Sequence, residues 1–230
     1  MPHPHPHQSY APWLLVIGCV LFGMGSLIVK FVPVGGFAIA FWRLAVAMII
    51  FWLLARFFGQ RLPASKKARR MALLSGVFLG FDLALWHESI YAVGPGIATL
   101  LNSLQIFFLS AIGFFWFGEK LNKLQIVSLI IAVSGVALIA SPEFGHNHDA
   151  VWGFVSDIVS GSMLALSMIF IRKSHEEGHA ALFPMMMLVS AGGMAAMVLP
   201  SLIFNFDSLY PTTWRDVGLI LVYGAVMQCL

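Results

Sequence analysis

The sequence predicts an all-α integral membrane protein of about eight hydrophobic helices, and three observations carry that fold class. Of 230 residues, 60% are hydrophobic and 10% are charged, whereas soluble domains carry about 25% charged residues. Such a chain, with a mean hydropathy of +0.89, lacks the charge to coat a water-facing surface. Its apolar residues fall in long blocks, several of them reaching the roughly 20 residues that a helix needs to cross the hydrocarbon layer. Short polar connections part the blocks, and their basic residues alternate between many and few.

The blocks cover residues 13–32, 37–58, 71–92, 96–117, 124–140, 151–171, 182–204 and 217–230. Backbone groups in lipid must be paired internally, which leaves helices or a closed barrel. Strands that alternate polar and apolar residues are absent, so helices are expected. Residues 1–10, rich in His and Pro but without Lys or Arg, read as a polar cytoplasmic tail rather than a signal peptide or a metal site. Cys19 and Cys229 lie inside apolar blocks and read as small buried hydrophobes, because a disulfide framework needs cysteines paired in loops. The last block has 14 residues. That is about 21 Å of helix against ~30 Å of hydrocarbon, so the chain is expected to stop partway through a helix.

The charges orient the blocks. Arg56, Arg61, Lys66, Lys67, Arg69 and Arg70 bracket or fill the second connection, Lys120 and Lys123 lie in the fourth, and Arg172 and Lys173 in the sixth. The odd connections hold only Lys30 and Arg215. Basic short loops stay in the cytoplasm, so the even connections and the N-terminus are expected inside, in a cytoplasmic (inner or plasma) membrane. Gly76 with Gly80, Ser156 with Ser160, and Gly161 with Ala165 stand at spacings that let helices approach closely in lipid.

Ionisable groups within a bilayer are costly and mark function by default. Arg43 lies early in the second block, Asp82 midway along the third, the His87-Glu88 pair near its outer end, and Asp157 in the sixth. At 100° per residue Asp82, Trp86 and Ser89 share one helix face, while His87 and Glu88 point elsewhere, about 7–9 Å further along the axis. Two roles are open to Asp82. It binds a cationic group or a proton in a central cavity, or it is a buried strut paired with Arg43 or with a serine on a neighbouring helix. His87 and Glu88 read either as water-accessible interface positions or as part of the site. For Asp157 an outer-entrance role, plain solvation and substrate contact stand level. Thr99, Asn102 and Gln105, three apart in the fourth block, either bridge helices or line a binding site. The HNHD run at 146–149 lacks the further spaced ligands that a metal site needs.

Several stretches resemble the EamA-type members of the drug/metabolite transporter superfamily. The second block opens FWRLAVAMIIF, similar to the family's aromatic-Arg signature. Residues 85–140 run LWHESIYAVGPGIATLLNSLQIFFLSAIGFFWFGEKLNKLQIVSLIIAVSGVALIA. This looks like the family's small-residue turn, Ala/Thr-Leu-Leu helix, Gly-Glu-Lys/Arg-Leu loop and Gly-Val-rich fifth helix. The segment DLALWH from Asp82 to His87 is similar to a subgroup with an Asp and a Trp-His there. The resemblance implies two five-helix repeats of inverted orientation, with the substrate site between them near the midplane. Residues 11–141 would form the first repeat and 142–230 the second, truncated in its third helix.

The function implied is a secondary transporter, exporting small metabolites or drug-like compounds by alternating access. Asp82, Trp86, Asn102 and Gln105 are expected to touch substrate or a coupling proton, with His87 and Glu88 nearby. Arg43 would neutralise Asp82 or anchor the repeat interface. The expected partners are the lipid bilayer, a small-molecule substrate, a proton and a second copy of the chain, with no nucleic acid and no cofactor. The alternative is a non-transporting fragment, or a subunit that needs a partner chain. A membrane enzyme would need a zinc-binding HExxH or a nucleophile–base pair, and neither is found, so no enzyme is expected.

Overall fold

A computed structural model describes residues 11–118, 122–142, 147–178 and 181–229. The tail at 1–10, Lys120, His146 and Leu230 lie outside the described residues, as do the side chains of Cys19 and Cys229. Among the described residues the chain forms nine α-helices, one short 3-10 turn and no strand. In order these are α1 (Ala11–Phe31), α2 (Gly36–Phe57), α3 (Lys66–Val93), α4 (Pro95–Asn102), α5 (Gln105–Phe117) and α6 (Lys123–Ala140). Then follow α7 (Ala150–Gly178), α8 (Leu182–Phe204), the 3-10 turn Phe206–Ser208 and α9 (Trp214–Cys229). By length and composition Gly36–Phe57, Pro95–Phe115, Ala150–Gly178 and Leu182–Phe204 suffice to cross a membrane, and Lys123–Ile139 is a shorter apolar helix. The fold is the expected all-α membrane bundle.

Two boundaries differ from the apolar blocks for a local reason. Helix α3 starts at Lys66 and α7 runs on to Gly178, beyond blocks 71–92 and 151–171. Ser65 caps α3 by accepting from the Ala68 N–H at 3.3 Å, which satisfies one orphan donor of the first turn. Lys67 of α3 then pairs with Glu177 of α7, and within α7 Arg172 meets Glu176 one turn on at 3.1 Å. Hydropathy sees only the apolar run, whereas polar turns at a helix end cost nothing where water reaches them.

The fourth block is corrected more deeply. It was expected as one helix over 96–117, and it folds as α4 and α5 with a break at Ser103 and Leu104. The turn tightens there, with Leu104 N–H donating to Leu101 O and Phe107 N–H to Leu104 O, each three residues back. Ser103 Oγ donates to Leu100 O at 2.5 Å, the local competition for backbone carbonyls that unsettles helix interiors. Entry to α4 is set by Gly94, whose φ of 88° suits a residue without Cβ, followed by Pro95 at the first helical position.

Helix α3 is the hub, packed against α7, α8 and α2, while α8 and α9 also pack on α2. A methyl group added at Gly193 would overlap Gly76 O and Leu44, so the α3–α8 crossing depends on glycine. Across α3 and α7 the contact repeats every seven residues. Ser174 Oγ donates to Ala68 O at 2.7 Å, Ser75 Oγ to Ser167 O at 2.9 Å, and Ser160 Oγ to Asp82 O at 3.1 Å. Ala68, Ser75 and Asp82 thus face Ser174, Ser167 and Ser160, the 3.5-residue period of paired helices.

The connections sort to two ends. Gln60 Oε1 in the second accepts from the Phe183 N–H just past the sixth, at 3.2 Å. At the other end Gly35 donates to Ser208 O, and Asn147 Nδ2 to Ala92 O at 2.7 Å. Asn205 Oδ1 accepts from the Phe37 and Ala38 N–H groups at 3.0 and 3.3 Å, capping α2 from across the bundle.

Candidate functional site

The site grows from the small-residue seam between α3 and α7. Asp82 occupies a seam position and is 3% exposed. Ser160 Oγ donates to its Oδ1 at 2.6 Å, and Asn102 Nδ2, at the end of α4, donates to Ser160 Oγ at 3.0 Å. Of the two partners expected for a strut at Asp82, the hydrogen bond comes from the serine.

Asp157 stands one turn before Ser160 on α7 and is fully buried. Solvation, one of its three expected roles, is therefore excluded. Asn102 lies beside its carboxylate without the alignment of a well-formed hydrogen bond, and both oxygens lack a partner. Asp82 is near enough for its charge to bear on Asp157. Gln105, the first residue of α5, packs its backbone on Gly161, and its buried Oε1 also has no partner. Asp82, Asp157, Asn102, Ser160 and Gln105 thus gather where α4 breaks from α5. Thr99 turns away from this group, donating to Pro95 O of its own helix at 2.7 Å.

A second polar group lies on the other side of α3. Arg43, 5% exposed, donates from Nη1 to Tyr223 Oη at 3.0 Å, from Nη2 to Met227 O at 3.1 Å and from Nε to Gln228 Oε1 at 3.0 Å. His87 is fully buried, so the water-accessible role expected for it is overturned. Its Nδ1 lies 3.2 Å from Gly36 O and its Nε2 2.8 Å from Tyr223 Oη. A carbonyl only accepts, so Nδ1 carries the proton and Nε2 accepts from the Tyr223 hydroxyl. The chain of bonds then closes: Arg43 to Tyr223, Tyr223 to His87, His87 to Gly36. Of the two roles expected for Arg43, its hydrogen bonds serve the anchor, tying α2 to α9, although Asp82 remains within electrostatic reach.

Trp86, 2% exposed, sets its ring beside His87, 5.5 Å between centroids and tilted by 38°. Glu88 is half-buried, with its carboxylate where a Cβ on Gly36 would fall. The structure therefore brings Asp82, Asn102 and Gln105 together, and groups Arg43, His87 and Trp86 separately. Sequence reasoning did not place Ser160 or Tyr223 in a site and left Asp157 undecided. The seven-residue repeat at 153, 160, 167 and 174 was the available signal.

Comparison with known proteins agrees with this architecture. The sequence model of the EamA-like transporter family matches residues 9–141. The chain is similar to the pseudopaline exporter CntI of Pseudomonas aeruginosa, 26% identical over 188 residues, covering 82% of this chain and 63% of that protein. It is also similar to a probable amino-acid metabolite efflux pump of Escherichia coli, 29% identical over 126 residues, covering 51% of this chain and 42% of the pump.

Proposed function

The chain belongs to the EamA-like transporter family, and on that premise we propose that it serves as a secondary transporter exporting small metabolites. The cycle is alternating access between two inverted repeats, divided near residue 141. The observation that carries this reading is the buried acid cluster at the α4–α5 break. Non-helical backbone at membrane depth is tolerated where protein encloses it, and transporter sites are built from such interrupted helices near the midplane. Both similar proteins named above are called an exporter or an efflux pump, which supports the outward direction.

In this scheme Asp82 carries the coupling proton, Asn102 and Gln105 orient substrate, and Arg43, His87, Trp86 and Glu88 support the wall around them. The even connections, rich in Lys and Arg, face the cytoplasm together with the N-terminus, in keeping with the positive-inside rule. The test is a comparison of metabolites in the medium of cells that have or lack the protein. One or more compounds should fall in the medium of the deleted strain and recover on complementation. No change across several growth conditions would sink the exporter assignment.

A further inference from the structure

The buried oxygens left without partners at the α4–α5 break share one property. The two of Asp157 and the one of Gln105 are all acceptors, so what the site lacks is a donor. Charge bookkeeping says which kind. Asp82 on α3 lies within electrostatic reach of Asp157 on α7, of Arg43 on α2 and of Tyr223 on α9. His87 fits this interior as the neutral ring, donating from Nδ1 to Gly36 O and accepting at Nε2 from Tyr223, and so adds no charge. With both carboxylates ionised, two negative charges meet one guanidinium, leaving a single negative charge in a medium that penalises it by several kcal/mol.

We propose that Asp82 and Asp157 form a site for one monovalent cation, filled alternately by a proton and by the ammonium group of an amine substrate. This deepens the exporter reading and rests on it. An ammonium group suits these acceptors, since it offers three N–H donors to the Asp157 oxygens and Gln105 Oε1. No bond other than N–H···O forms. The proton that leaves the carboxylate pair passes to water on the side then open, and its return releases the amine. Ser160 and Asn102 hold Asp82 in place and leave Asp157 to respond to the cation.

The purified full chain in detergent is titrated with methylammonium chloride at several pH values. Binding is read by calorimetry, and proton release by an indicator dye in weak buffer. Sodium chloride and methanol serve as the cationic and uncharged controls. Binding of methylammonium should release up to one proton, and its apparent Kd should fall about tenfold per pH unit where release occurs. Methanol should release none. D157N should abolish release and weaken methylammonium binding about tenfold or more, while D157E should restore both.

The wild-type pH slope stands even if D157N folds poorly. The proposal is overturned if methylammonium releases no proton, including the case where sodium alone does, or if folded D157N behaves as wild type. Proteoliposomes separate the two ideas. Exchange of a neutral or anionic metabolite with no amine binding would sink the cation site and keep the exporter. Amine binding with no flux of any compound would do the reverse.

Discussion

Two buried polar groups flank α3, and they are built to opposite ends. On one side Arg43, Tyr223 and His87 form a chain in which each donor meets an acceptor, ending on the Gly36 carbonyl. On the other, Asp82 is held by Ser160, while Asp157 and Gln105 keep oxygens without partners. Both lie in the same low-dielectric interior, where a satisfied network rigidifies and an unsatisfied one is costly. The first group behaves as a clamp joining α2 and α3 to α9. The second keeps acceptor oxygens that no donor of the chain fills.

The sharpest way to break this contrast is at Asp82. Asp82→Asn keeps the size and the Ser160 bond but removes the charge, so flux driven by a pH gradient in proteoliposomes should fall to background with little change in thermal stability. Flux equal to wild type would remove Asp82 from coupling. Arg43→Met attacks the clamp instead. It strands Tyr223 Oη, Met227 O and Gln228 Oε1 and should cost about 3 kcal/mol of stability, seen as a lowered Tm in detergent. A loss of flux with unchanged Tm would mean that Arg43 belongs to the working site after all.

Gly193→Val leaves both polar groups intact and forces α3 from α8, at about 2 kcal/mol by overpacking. Flux per folded molecule should survive, since the α3–α7 seam is untouched. Smallest is Tyr223→Phe, which removes one hydroxyl shared by Arg43 and His87. Interhelical bonds in lipid contribute about 1 kcal/mol, and unfolding measured beside Arg43→Met should give that smaller shift. A loss as large as that of Arg43→Met would show the clamp to be cooperative rather than a set of separate bonds.

Some of this was legible in the residues. The apolar blocks located the helices to within a turn or two, except where charged turns extended α3 and α7. Gly76 and Gly80 mark a close crossing, though Gly193, which packs on both, is not predicted. Asp82 stands out because a carboxylate midway along an apolar block has few structural excuses. Of the two readings of His87 the water-accessible one fails, because a sequence position near the end of a block says nothing about a tyrosine more than a hundred residues later. Asp157 was left undecided for the same reason, as burial depends on what packs over it.

The sequence alone determined how many times the chain runs through apolar surroundings and which connections share an end. Both follow from hydropathy and charge, properties that add residue by residue along the chain. Only the tertiary structure decided that Asp82 bonds Ser160, that Arg43 reaches α9, and that the fourth block breaks beside Asn102. Those outcomes depend on the rotation and register of one helix against another. A shift of one residue turns a side chain by 100°, enough to exchange a partner on the neighbouring helix for lipid.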